Sequence, residues 1–324
     1  MEIFNIFVDG GSGTTGLTIS QSLSRLNYVD QLTISAEDHK NIDKRLEKIR
    51  QADLSILCLP DEAAEEIADR IPKDCRIIDT STAHRTDPAW VYGMAELEPG
   101  QREKIRRSNR VANPGCHATG FILAVRPLIV NKIIPADYPL VATSITGYSG
   151  GGKAMINNYD DDAAQINRQL RSPAHYALGQ NHKHLAEMMA MTGVTLAPSF
   201  QPIVADYYRG MYVTIPLQEK YMGKKLGLRE LTDLYRSYYE GCAGRDNRAG
   251  DGSHSDQNLI SVRLAAEDEK FIYSDKLAGS DKVEIIIYGN DQRPVIGVRF
   301  DNLGKGACGA AIQNMNIMLG FGEA

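Results

Sequence analysis

The residue types that can do covalent chemistry at neutral pH fall into a few short stretches of this chain. The most marked is Val111-Ala112-Asn113-Pro114-Gly115-Cys116-His117-Ala118-Thr119-Gly120. Apolar or small residues follow Cys116 at Ala118, Phe121, Ile122, Val125, Leu128 and Ile129, a 3.6-residue period that predicts a helix. Asn113-Pro114 keeps the approach extended, because a residue before proline is biased out of the α region. Pro127 is expected to end or kink the helix. Cys116 therefore falls in the first turn, where free backbone N–H groups and the helix dipole favour an anion. A thiol there loses its proton more easily, and the thiolate is the nucleophile.

A second stretch, Tyr176-Ala177-Leu178-Gly179-Gln180-Asn181-His182-Lys183-His184-Leu185-Ala186-Glu187, sets two histidines at a helix start. Glu187 lies three residues after His184, within reach to orient its imidazole on a helix. That spacing favours His184 as the acid–base group over His182. As metal ligands the pair would need a third nearby donor, and the stretch supplies none. Arg85 and Arg209 are candidate substrate ligands, since forked guanidinium donors match carboxylate and phosphate groups.

The elements that must position these groups begin with a strand at Ile3–Val8. It runs into Asp9-Gly10-Gly11-Ser12-Gly13-Thr14-Thr15-Gly16 and then an apolar-periodic helix. Gly11, Gly13 and Gly16 match G-x-G-x-x-G between strand and helix, where glycine lets the backbone approach a pyrophosphate. Gly11, Ser12, Gly13, Thr14, Thr15 and Gly16 are thus candidate dinucleotide ligands. A second strand is expected at Leu32–Ser35, followed by Glu37 and Asp38 and then by Lys40, Lys44 and Arg45. The acids suit the ribose of NAD; Ser35 with the bases suits the 2′-phosphate of NADP. On the residues alone both remain open.

Further strands at Leu54–Leu59, Arg76–Asp79 and Arg110–Asn113 alternate with helices at Asn41–Ala52 and Glu62–Arg70. That pattern predicts a doubly wound parallel sheet. Ligands of such sheets sit at the carboxyl ends of the strands, which brings Leu59, Pro60 and Ser81 into the candidate cofactor set. The second half reads as α+β on a largely antiparallel sheet. Its strands are expected at Leu140–Ile145, Gly210–Pro216, Asn258–Leu264, Val283–Tyr288 and Val295–Phe300, with helices at Leu185–Thr192 and Leu228–Glu240. Residues Cys242 to Ser255 read as a mobile loop, and a last helix runs from about Lys305 to Leu319.

Charge and composition narrow the function classes. The net charge of -5 gives no basic field for nucleic acid or an anionic membrane. The N-terminal apolar run is too short for a signal peptide or a membrane span. Five cysteines without C-x-x-C spacing argue against a disulfide framework or a cysteine zinc site, and point to a cytoplasmic setting.

Two more stretches complete the pattern: Thr146-Gly147-Tyr148-Ser149-Gly150-Gly151-Gly152-Lys153, and Asp206-Tyr207-Tyr208-Arg209-Gly210. With Asn113-Pro114-Gly115-Cys116, the histidine stretch and the closing Asp301-Asn302-Leu303-Gly304-Lys305-Gly306-Ala307 … Gln313-Asn314, their order resembles the N-acetyl-γ-glutamyl-phosphate reductases. Cys116-His117-Ala118-Thr119-Gly120 is similar to the shorter, second type of that family. The resemblance implies a Rossmann-type domain at 1–115, completed by the C-terminal helix 301–324, and a catalytic domain at 116–300. It implies NADPH as reductant, an acyl-phosphate substrate, release of phosphate and a thioester on Cys116. It adds Ser149, Gly150 and Asn314 as cofactor ligands and Asn113 as a substrate ligand. A homodimer or homotetramer is expected, with the second sheet as the interface. Aspartate-semialdehyde dehydrogenase is the neighbouring reading, and a dinucleotide-binding regulatory subunit is the non-enzymatic one.

Overall fold

The computed structural model describes residues 2–11, 13–160, 168–242 and 259–321. It divides into two compact units. The first comprises Met1–Ala95, Gly100–Gly115 and Ala307–Ala324, and the second Glu96–Pro99 with Cys116–Gly306.

The first unit is wound on six parallel strands. In chain order they are β1 (Phe4–Asp9), β2 (Val29–Leu32), β3 (Leu54–Leu57), β4 (Ile77–Asp79), β5 (Val91–Tyr92) and β6 (Arg110–Ala112). Their spatial order is β2-β1-β3-β4-β6-β5. Side chains of a strand alternate between faces, so one face takes Ile6, Ile56, Ile78 and Val111, and the other takes Phe7, Leu57 and Ile77. Helix α1 (Thr14–Leu23) covers the first face, together with the C-terminal helix from Gly309 to Leu319 through Met315 and Ile317. Helices α2 (Ile42–Gln51) and α3 (Asp61–Ala68) cover the second with Leu46, Ile49 and Ile67. The remaining helix of this unit is α4 (Gln101–Arg107).

The second strand lies three residues earlier than Leu32–Ser35. Its register pairs Phe4 with Val29 and Phe7 with Leu32. Ser35 instead makes a turn, accepting the Asp38 N–H at 3.1 Å through its hydroxyl and the His39 N–H at 3.1 Å through its carbonyl. Short polar side chains of this kind compete with a strand ladder.

The second unit opens with α5 (Cys116–Val130) and carries a seven-stranded sheet. Its strands are β7 (Val141–Gly147), β8 (Ala174–His175), β9 (Ser199–Ala205), β10 (Met211–Pro216), β11 (Ile260–Leu264), β12 (Val283–Asn290) and β13 (Arg293–Phe300), in the order β11-β12-β13-β10-β7-β9-β8. Pairing is antiparallel except for β11 with β12 and β7 with β9. Helices α6 (Gly152–Asp160), α7 (His184–Thr192) and α8 (Leu228–Cys242) belong to this unit, and α9 is the C-terminal Gly309–Leu319. Residues 243–255 of the expected loop lie outside the described residues.

Three expectations are corrected here. Helix α5 runs through Pro127 to Val130. Proline removes the N–H that the carbonyl of Leu123 would accept, and the hydroxyl of Tyr239 on α8 supplies that donor at 2.6 Å. Tyr235 donates likewise to the carbonyl of Ala124. Strand β9 is an addition, hidden in the sequence by Pro202. The ladder of β8 reaches only Ile203 and Val204, so β9 is close to an edge strand at the proline, where proline is tolerated. Residues 301–306, expected in the first domain, belong to the second unit. Asp301 accepts from the N–H of Leu303 and pairs with Arg209, and Asn302 accepts from Gly210 N–H. Residues Glu96–Pro99 join the same unit, where Glu96 meets Lys305 and Glu98 meets Arg126.

Candidate active site

In the first unit the glycine turn forms a cradle of backbone. Gly10 has φ +83°, and a Cβ there would strike the carbonyl of Cys58. A Cβ on Gly16 would lie 2.6 Å from the Gly10 carbonyl oxygen. Gly13 precedes α1 without any side-chain cap, and a Cβ there would meet only the Gly10 oxygen, at 3.6 Å. The first N–H groups of α1 are thus left to backbone and ligand, the arrangement that binds phosphate. Ser12 lies outside the described residues.

Around this cradle the candidates divide. Arg45 is held by Asp9, with Nε and Nη2 to the carboxylate at 2.7–3.0 Å. Lys44 pairs with Glu47, and Ser35 donates to Asp38. Leu59 and Pro60 follow β3, Pro60 directly preceding α3. Ser81 is buried and donates to Asp79 at 2.6 Å, while His84 meets the same carboxylate at 2.6 Å and stacks on Trp90. Arg85 is buried rather than in a surface salt bridge; its Nε reaches the carbonyl of Asn113 and its Nη2 that of Thr80, both at 2.9 Å. Asn113 and Asn314 form a buried clasp. Asn113 Nδ2 donates to Ala307 O, and Asn314 Nδ2 donates to Asn113 Oδ1 and to Gly93 O.

The second unit carries the thiol. Cys116 is the first residue of α5 and is partly exposed. A Cβ on Gly306 would lie 2.9 Å from the Cys116 Cβ, so position 306 can carry no larger residue. The turn is a single π turn, Gly304–Cys308, a form frequent at functional sites. Lys305 within it is buried and gives both carboxylate oxygens of Glu96 a hydrogen bond at 2.7 Å. Gly120 lets α5 lie against Val213 and Phe300, which a Cβ would strike.

Three histidines gather next to Cys116. The ring of His117 lies 5.3 Å from that of His182 and 5.7 Å from that of His184, with His182 and His184 4.7 Å apart. Phe200 closes the cluster against His117 and His182. His117 Nδ1 is 2.7 Å from Ser144 Oγ, and its Nε2 is 2.5 Å from the Tyr176 hydroxyl. Burial drives the His117 pKa down to about 3, with His182 adding to the effect. His182 is pushed down to about 4, first by burial and then by the charge of Lys183. The phenol of Tyr176 is raised by burial and then by the charge of Cys116.

His182 Nδ1 accepts the backbone N–H of His184 at 3.1 Å. A neutral imidazole that accepts at Nδ1 carries its proton on Nε2. His184 and Glu187 are both buried in the first turn of α7. The loop that brings Tyr176 and His182 together bends through Ala177 (φ 50°) and Gln180 (φ 55°). Gln180 holds the bend by exchanging two hydrogen bonds with the backbone of Phe200, at 2.6 and 2.9 Å. Among the described residues, no group of three or more His, Cys, Asp or Glu side chains could hold a metal ion.

Two family models match the chain: the semialdehyde dehydrogenase NAD-binding domain over residues 5–106 and the semialdehyde dehydrogenase dimerisation domain over 116–246. The N-acetyl-gamma-glutamyl-phosphate reductase of Trichormus variabilis is 38% identical over 98% of this chain and 97% of its own. That of Brucella ovis is 38% identical over 97% and 98%. The chain belongs to the N-acetyl-gamma-glutamyl-phosphate reductase family. Its fold is that of the aspartate-semialdehyde dehydrogenases. The Vibrio cholerae enzyme II complexed with ASA superposes with a TM-score of 0.70 at 14% identity, covering 98% of this chain and 99% of the other. The Candida albicans enzyme with NADP gives 0.64 at 13% identity, with 98% and 99% covered. A reductase of this family is an oxidoreductase with a nucleotide-binding domain, and among the described residues no helix is long and apolar enough to cross a membrane.

Within this reductase fold the second unit brings Cys116, His182, His184 and Glu187 into one region and adds two groups that sequence reasoning passed over. His117 stands next to the cysteine, and Tyr176 opens the histidine stretch; position in those motifs was the available signal. The same unit holds Ser149, Gly150 and Arg209. Ser149 is buried, accepting from Asn302 Nδ2 at 2.9 Å, and Gly150 follows it on the surface. Arg209 pairs with buried Asp301 at 2.5 Å.

Proposed function

We propose that this chain reduces N-acetyl-γ-glutamyl phosphate to N-acetylglutamate 5-semialdehyde and phosphate with NADPH, a step of arginine biosynthesis. The observation that carries the reading is Cys116 as the first residue of α5, with Tyr176, His182 and His184 gathered round the next residue, His117. The whole-length relatives that share 38% identity support the choice of acyl group.

The residues present fit a dinucleotide. Gly11, Gly13, Thr14, Thr15 and Gly16 would hold its pyrophosphate on backbone N–H groups at the head of α1, where Gly13 leaves the approach open. Asn314 Oδ1 is a buried acceptor without a hydrogen-bond partner among the described residues, matched to an amide donor such as a nicotinamide carboxamide. When bound, NADPH supplies the hydride that the acyl carbon must gain. Arg45, Lys44 and Ser35 are engaged by Asp9, Glu47 and Asp38, and Lys40 is the proposed base for a 2′-phosphate.

On the protein side, the Cys116 thiolate attacks the acyl carbon, the bond to the phosphate oxygen breaks, and phosphate leaves a thioester. Backbone N–H groups at the head of α5 would hold the oxygen as it gains charge. After reduction the carbon–sulfur bond breaks, the aldehyde leaves and the thiolate is restored. His182, with Nδ1 committed to the His184 N–H, can donate from Nε2 but has no second free nitrogen for taking a proton. The proton transfer therefore falls to His184, with Glu187 orienting it; Arg85, Arg209 and Asn113 are the proposed substrate ligands.

The test is phosphate-dependent reduction of NADP and of NAD with three aldehydes in parallel: N-acetylglutamate semialdehyde, aspartate semialdehyde and glyceraldehyde phosphate. The reading expects the acetylated substrate with NADP to have the highest kcat/KM. Aspartate semialdehyde as the best substrate would replace it with the neighbouring activity.

A further inference from the structure

We propose that Ser144 and His117 form a buried tautomer lock that leaves the Tyr176 hydroxyl free to donate a hydrogen bond toward Cys116. Counting protons fixes the hydrogen-bond directions. Ser144 sits fully buried in the middle of β7, and its hydroxyl has the His117 ring as its hydrogen-bonding partner, at 2.7 Å. A buried hydroxyl must donate to something, so Ser144 gives its proton to Nδ1. The neutral ring then carries its hydrogen on Nε2. Nε2–H donates to the Tyr176 oxygen at 2.5 Å.

That leaves the phenolic hydrogen of Tyr176 uncommitted. The reverse tautomer would strand the buried Ser144 proton and turn the Tyr176 hydrogen back onto His117. Both ends of the lock are fixed by other elements. His117 lies one residue after Cys116, and Tyr176 is tied to β9 by its N–H to Pro202 O. The charge of Cys116 acts on the Tyr176 phenol, which burial keeps protonated. The rings of His182 and His184 lie 5.3 and 5.7 Å from that of His117, and the charge of Lys183 acts on His182.

Ser144 and His117 are positioning residues on this account. Tyr176 would stabilise the thiolate, or the oxygen that gains charge on the acyl carbon. The inference rests on Cys116 being the reactive thiol, but not on the identity of the acyl group.

The direct test is the nitrogen-15 NMR signature of His117, assigned by comparison with His117→Gln. The lock predicts the Nε2–H tautomer, with no titration of the ring between pH 8 and about pH 4. An Nδ1–H tautomer, or a ring that titrates near pH 6.5, overturns it. The functional arm uses Ser144→Ala and Tyr176→Phe. Each should lower kcat roughly tenfold or more with KM nearly unchanged, the loss expected for one hydrogen bond to a charged group. The double variant should be no slower than Tyr176→Phe alone. Ser144→Ala with unchanged kcat and tautomer overturns the lock. Iodoacetamide labelling of the unsubstituted protein separates the two readings. If Cys116 is not the first thiol labelled, the proposed reaction fails and takes the lock with it. If Cys116 labels first but the tautomer is wrong, the lock alone fails.

Discussion

Two glycine-rich turns follow strands in this chain, one in each unit, and they do different work. The turn at Gly10–Gly16 keeps its helix N-terminus open: Gly13 carries no cap, and a Cβ there has only one atom near it. The turn at Gly147–Gly152 is closed at its first residue. A Cβ on Gly147 would lie 2.6 Å from the carbonyl oxygens of both Tyr207 and Tyr208, and Ser149 is clasped by Asn302. Gly13 in the first turn leaves the space that a bound ligand would need; Gly147 in the second admits the protein's own backbone. The same residue type therefore leaves an open position in one place and meets a packing constraint in the other.

The largest effect that sharpens this contrast comes from Gly147→Ala. With rigid backbone on all sides, overpacking of this kind costs about 1–3 kcal/mol or more. The expected outcome is a clear loss of thermal stability while any folded fraction still binds the dinucleotide. Gly13→Ala should do the opposite, folding normally and weakening dinucleotide affinity, as read by a cofactor-induced thermal shift. Equal losses of stability from both would erase the distinction.

Acid should affect the second unit through its histidines. His117 and His182 are held neutral, at about 3 and about 4, whereas an unfolded histidine titrates near 6.5. Between those values the unfolded chain binds protons that the folded chain does not. Their contribution is therefore fully present above about pH 6.5 and is lost as the pH falls toward 4. Urea unfolding at pH 7, 5.5 and 4.5 should show falling stability, with a shallower fall in His182→Asn. A slope unchanged by that substitution would assign the acid sensitivity elsewhere.

The smallest expected effect belongs to Ser149→Ala. Losing one buried hydrogen bond to Asn302 should cost about 1 kcal/mol of stability, and dinucleotide affinity should stay the same. A drop in affinity without a change in stability would restore Ser149 as a cofactor ligand.

What was legible in the sequence is what short spacing encodes. The alternation of Ile6 with Phe7 and of Ile56 with Leu57 announces a sheet covered on both faces, and α5 follows from its apolar period. Cys116 at a helix head and the histidine pair before α7 were readable for the same reason. Partners far apart in the chain were not. Asn113 meets Asn314 across 201 residues, and Ser149 meets Asn302 across 153. Nothing local in either stretch distinguishes an amide that binds a ligand from one that closes a clasp. His117 was hidden in the same way, since its partners Ser144 and Tyr176 come from other strands and loops. Strand β9 was obscured by Pro202, and the continuation of α5 past Pro127 depends on a tyrosine 116 positions away.

The central claim is that Cys116 is the nucleophile, and Cys116→Ser tests it most directly. Single-turnover kinetics with the acyl phosphate, in the absence of NADPH, should release one equivalent of phosphate per active site from the unsubstituted protein. The serine variant should release essentially none while still binding the dinucleotide. Near-normal phosphate release from Cys116→Ser would contradict the account.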